Sequence, residues 1–110
     1  MNEQVRELLE KYPSEIIAMY HSLRTLIYNS VSCEPEERLW AKLPSYYVGD
    51  SFVRLIPFKD HINLEAQAVL RHKEELARYR ITPKGMLQIG VKQELPCGVL
   101  LQIVKETLES

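Results

Sequence analysis

Cysteine is sparse in this 110-residue chain, and the two present do not pair in any recognisable pattern. Cys33 and Cys97 stand far apart, form no CxxC and have no histidine at ligand spacing. Neither a zinc knuckle nor a disulfide framework has support, and two reduced thiols are expected. Glycine is as scarce, and its four copies form no phosphate-cradling loop; HExxH, GxSxG and acidic calcium-loop patterns are missing too. His21, His61 and His72 are scattered, without a second histidine or cysteine at i+3 or i+4 to complete a helical metal pair. An excess of one charge is also lacking: 14 basic and 15 acidic side chains leave a net −1. No global field draws the chain to phosphates or anionic lipid, so neither nucleic acid nor membrane is expected as a partner. No apolar run approaches the roughly 20 residues that span a bilayer, and the first residues are too polar for a signal peptide, so a cytoplasmic location is expected.

What is present describes an ordinary globular chain. Hydrophobic residues make up 45% and charged residues 26%, a balance that suits one core. The length is near the commonest for one domain, and a single domain over residues 1–110 is expected.

Val5, Leu8, Leu9 and Tyr12 recur at helical spacing up to Pro13. Ser14 then reads as the N-cap of a longer helix with a stripe of Ile16, Tyr20, Leu23, Ile27 and Val31, widened by Ile17, Met19 and Leu26. Pro35, Glu36 and Glu37 suit the first turn of a short third helix that Pro44 closes. From Ser45 the composition turns β-branched and aromatic. Tyr46–Val48 and Phe52–Ile56 read as a hairpin across Gly49-Asp50, although Gly-Asp is a weaker turn signal than Asp-Gly. After Pro57 and a turn at Lys59 and Asp60, His61, Asn63 and Glu65 alternate with Ile62 and Leu64; Leu87, Ile89 and Val91 alternate with Gln88 and Gly90. Ala66–Tyr79, between them, reads as one helix or two short ones, and a last helix starts at Pro96 with Leu100, Ile103, Val104 and Leu108 on one face. The fold expected is α+β: a small antiparallel sheet with helices packed on one face and Asn63, Glu65 and Gln88 on the other.

Two groups of side chains are candidates for chemistry. Glu3, Glu7 and Glu10 fall along one face of the first helix, a set of oxygens that suits a hard or borderline cation held loosely; the alternative is a solvated face. Glu34, Glu36 and Glu37 form a second acidic cluster, which stabilisation of a helix N-terminus explains equally well. Arg54, Lys59, His61, Asn63 and Glu65 fall near Trp40, Tyr46 and Tyr47, so Trp40, Lys59 and His61 are the candidate ligand-binding residues; the alternative is packing. No spacing pairs a nucleophile with a base, and a non-enzymatic protein is expected.

The stretch Glu36–Ala66 resembles the YdhG-like family, a domain-of-unknown-function group, in a Trp followed by a proline, then a strand and a Lys-x-His strand. Here these are Trp40, Pro44, Phe52–Ile56, and Lys59 with His61; the HSLRTLI and KGMLQI segments and the Pro96 helix follow the same order. The resemblance implies a frataxin-like fold. It also implies iron handling, since the family includes a bacterial iron chaperone that supplies iron–sulfur cluster and haem assembly. The expectations drawn from it are an iron-binding or iron-delivery protein with no tightly bound cofactor, iron held weakly by surface carboxylates, and iron–sulfur or haem assembly proteins as partners. The alternative is a module that binds a small molecule or a protein through the cleft near Trp40 and the polar sheet face. Arg6 and Lys11 depart from a dense acidic ridge, since cations among Glu3, Glu7 and Glu10 lower the local negative potential.

Overall fold

The computed structural model describes residues 1–109. Asn2 opens the first helix, α1 (Glu3–Leu9), by accepting the amide protons of Gln4 and Val5 on its side-chain oxygen. That cap satisfies two of the donors a helix start leaves free. In the second helix, α2 (Ser14–Ser30), the stripe Ile16, Tyr20, Leu23, Leu26 and Ile27 is buried, as its spacing predicts. Its N-cap position falls on Pro13 rather than Ser14, and the Pro13 carbonyl accepts from Ile16 and Ile17. The last helix, α3 (Cys97–Glu109), buries Leu100, Ile103, Val104 and Leu108.

Six strands form one antiparallel sheet: β1 (Glu36–Trp40), β2 (Leu43–Val48), β3 (Ser51–Pro57), β4 (His61–Ala66), β5 (Arg80–Ile81) and β6 (Leu87–Gly90), in the order β1-β2-β3-β4-β6-β5. The register puts Tyr46, Val53 and Ala66 in one row and Leu55, Leu64 and Leu87 in the next. With Ile62 and Ile89 they make the face on which α2 and α3 pack, and the core is this single layer between helices and sheet. Side chains of this size contribute roughly 1.5–3 kcal/mol each when fully buried.

Two expectations are corrected. The segment after Pro35 is the edge strand β1, not a third helix, and Pro44 lies inside β2 opposite Leu39. The β2–β3 ladder begins at Ser45, so the proline's missing N–H deprives that pair of no bond. Ala66–Tyr79 is a 3₁₀-helix over Gln67–His72 followed by turns, although Val69, His72 and Leu76 are buried as their spacing suggests. Gly49-Asp50 does form the β2–β3 turn: Gly49 alone takes positive φ, 61°, which a type II′ turn requires at its first central position.

Candidate functional site

Side chains alternate across a strand, so the register that builds the core also composes the opposite face. Arg38, Ser45, Arg54 and Glu65 share one row there, and Asn63 shares the next with Ile56, Gln88 and Arg80. Trp40, opposite Leu43 at the end of β1, belongs to the same face. The helix contacts all involve the core side, which leaves this face open to solvent among the described residues.

Arg54 organises it. The side chain is only 6% exposed, although it stands on the open face. Its guanidinium carbon lies 4.1 Å from the centre of the Trp40 ring and 3.8 Å from that of Phe52. Nε donates to Ser45 Oγ at 2.9 Å, Nη2 to Tyr47 Oη at 3.2 Å, and Nη1 faces Glu65 at 3.5 Å. Ser45 in turn donates to the Leu43 carbonyl. A planar cation with rings stacked on it and its forked donors matched is a rigid arrangement that lysine could not reproduce. Trp40 lies over it and stays 53% exposed.

Asn63 is the counterpart to this satisfied group. It is 9% exposed, and its side-chain oxygen is buried with no hydrogen-bond partner. Leaving such an acceptor unmatched costs about 1–3 kcal/mol. The sequence places Asn63 on a solvated face; the structure covers it with its neighbours instead.

The β3–β4 turn adds a second aromatic pair, Phe58 stacked on His61 with centroids 4.4 Å apart and planes 14° from parallel. His61 Nδ1 contacts Asp60 at 2.7 Å, and that bond holds the Asp60 carboxyl below its usual pKa. The pair has the look of an acid–base dyad, but no hydroxyl or thiol bonds to its other nitrogen among the described residues. Of the residues proposed for ligand binding, Trp40 is thus at one edge of this face and His61 on β4 near its other side, with β2 and β3 between them, while Lys59 is exposed in the adjoining turn. Beyond Phe52 the face runs into a depression of about 330 Å³ lined by Glu65, Gln67, Leu70 and Lys84.

Glu3, Glu7 and Glu10 do not converge on a common point. Arg6 pairs with Glu3 and, at 3.4 Å, with Glu10. No three His, Cys, Asp or Glu side chains gather as metal ligands among the described residues. Of the second acidic cluster, Glu37 turns inward: Arg24 Nε donates to it at 2.6 Å, Tyr46 Oη at 2.8 Å and the Asn2 amide at 2.6 Å. Cys33 and Cys97 are free and exposed.

Sequence reasoning singled out Trp40, Tyr47 and His61 but not Phe52 or Phe58 as parts of one surface, and Tyr46, which it grouped with them, faces the core instead. The signal was available in principle, since a two-residue hairpin at Gly49-Asp50 puts Phe52 opposite Tyr47. No protein-family model matches the sequence, and no curated protein or solved structure matches it either.

Proposed function

We propose that this chain is a non-enzymatic binding module that takes up its ligand on the open sheet face beside Trp40. The observation that supports it is the unmatched Asn63 oxygen, buried on the same face as the prebuilt Trp40–Arg54–Phe52 stack. A face meant only for water has no use for a buried acceptor without a donor, whereas a ligand that supplies the donor recovers the energy on binding. The stack is held in place before a ligand arrives, so little ordering cost remains.

The iron-delivery reading implied by the YdhG-like resemblance rests on Glu3, Glu7 and Glu10, and Arg6 pairs with two of those three, offsetting one of their charges. The geometry therefore supports the sheet face better.

Asn63→Leu is the informative variant. Removing an unmatched buried polar group is expected to raise unfolding free energy by about 1–2 kcal/mol in urea titrations. The same variant is expected to lose ligand-induced stabilisation, because a ligand bound only to the native state raises its melting temperature. If a compound collection shifts neither the melting temperature nor the emission of Trp40, while anaerobic ferrous ion titrates saturably at the α1 carboxylates, the iron reading takes its place.

A further inference from the structure

We infer that the ligand of this face is a single-stranded nucleic acid, an inference that rests on the binding-module reading and adds the class of partner. Three independent features converge on it. The first is the pair of flat platforms. Trp40 is backed by the Arg54 guanidinium and Phe58 by the His61 ring, and Trp40 and Phe58 are 53% and 41% exposed. Each offers a ring face already held in position, which suits the π-face of an unpaired base. The Trp40 ring leaves from β1 and the Phe58 ring from the β3–β4 turn, so the two platforms would receive different bases of one extended strand.

The second feature is where the unpaired cations fall. Lys59 follows Phe58, Arg80 ends the Asn63 row, and Lys84 lines the depression beyond Phe52; all three are exposed, whereas Lys42 lines a hollow with Glu7, Lys11 and Leu39 on the α1 side. None forms an ion pair among the described residues. Glu36, Asp60 and Glu65 already face Arg38, His61 and Arg54, whereas Asp50 in the β2–β3 turn is exposed and forms no ion pair among the described residues. The net charge of −1 describes the molecule as a whole and speaks against long-range attraction. It leaves room for local phosphate contacts around a stacking surface.

The third feature is Asn63, whose amide carries both donors and an acceptor and so can meet the edge of a base. Base pairing would hide the ring faces and edges that these groups address, and the flat sheet offers no helix to enter a groove. An apolar peptide would use the rings but leave three cations idle. These considerations favour a single strand over a duplex or a peptide.

The chain has one tryptophan, so its emission reports from the platform itself. The test is titration of the full chain at low salt with a ten-residue oligothymidylate and a ten-residue oligouridylate. Saturable quenching is expected, and log K should fall against log salt with a slope no steeper than about −2, three phosphate contacts at about −0.7 each. In anisotropy with a labelled strand, Trp40→Ala and Phe58→Ala should each weaken binding about 5- to 100-fold, the range for loss of one stacked base. Circular dichroism of both variants confirms that they remain folded. Lys59→Gln with Lys84→Gln should flatten the salt slope.

The inference is overturned by absence of quenching, by equal affinity for a blunt duplex, or by a linear polyphosphate that displaces the strand and binds Trp40→Ala as well as wild type. If oligonucleotides fail but an aromatic peptide or small molecule perturbs Trp40 and is lost with Asn63→Leu, only the nucleic acid falls. Should oligonucleotides bind the Trp40→Ala, Asn63→Leu double variant at wild-type affinity, the open-face reading falls as well.

Discussion

Glu37 is a carboxylate with 5% of its side chain exposed, and everything around it is arranged to keep it ionised. Burial alone would raise its pKa; the bonds from Arg24, the Asn2 amide and Tyr46 outweigh that and leave it lowered. Tyr46 spends its one proton on Glu37, so the 2.7 Å contact with Tyr20 is donated by Tyr20. Burial drives both phenol pKa values well up and keeps them neutral donors. A depressed folded-state pKa contributes stability that is present above the unfolded carboxyl value and lost as pH falls through the folded one. Glu37→Gln is therefore expected to cost about 2–4 kcal/mol at neutral pH in denaturant titrations, because Arg24 loses its partner, and to reduce the loss of stability on acidification. Ala41 and Lys42, the β1–β2 turn, illustrate the opposite situation: φ values of 49° and 66° belong to the left-handed region, which neither residue favours. Lys42→Gly should raise unfolding free energy by about 0.5–1 kcal/mol, read from the urea midpoint. That a tightly turned backbone of poor turn formers sits directly after Trp40 is consistent with selection for where that ring is held.

Strand β1 shows how an element can be misjudged from its own residues. Glu36-Glu37-Arg38-Leu39 are good helix formers after a proline, and local propensity points to a helix. Glu37 must reach Arg24, 13 residues earlier, and Leu39 must reach the core; only an extended segment alternates them inward together with Arg38 and Trp40 outward. Propensity of a few tenths of a kcal/mol per residue cannot compete with that network. The elements with strong periodicity, α2, α3, β4 and β6, were legible because burial on one face wrote itself into the spacing. The Ala66–Tyr79 segment was half legible: helical structure is present only as the 3₁₀-helix Gln67–His72, and turns follow it. Its His72 ring places Nδ1 2.7 Å from Glu75 and Nε2 3.1 Å from Glu106, which Arg71 also approaches at 3.6 Å. Both nitrogens donate only in the imidazolium, and the bond to Glu75, followed by that to Glu106 against the cost of burial, raises the pKa. A raised folded value means stability fully present below the unfolded imidazole pKa, near 6.5, and lost as pH rises through the higher folded one. Melting temperature is thus expected to decline as pH rises above about 6.5, and His72→Gln should flatten that decline.

At the scale of the whole molecule, the layer of helices and the sheet beneath it could be inferred from the sequence, but the character of the uncovered face could not. Period-2 alternation says that His61, Asn63 and Glu65 share a side; it says nothing of how far an arginine on the next strand reaches, or that Trp40 folds down over it. Charge behaves similarly, since one number near zero conceals cations beside Phe58 and Phe52 and glutamates spread over α1. The sheet also has two margins. At one, β5 is only two residues long. At the other, β1 would present its backbone to any passing chain, but the Asn2 side chain donates to the Glu37 carbonyl at 3.3 Å and α1 packs alongside. Proteolytic loss of that first turn would strip the guard from a growing point, and copies of the clipped chain could then zip together strand upon strand.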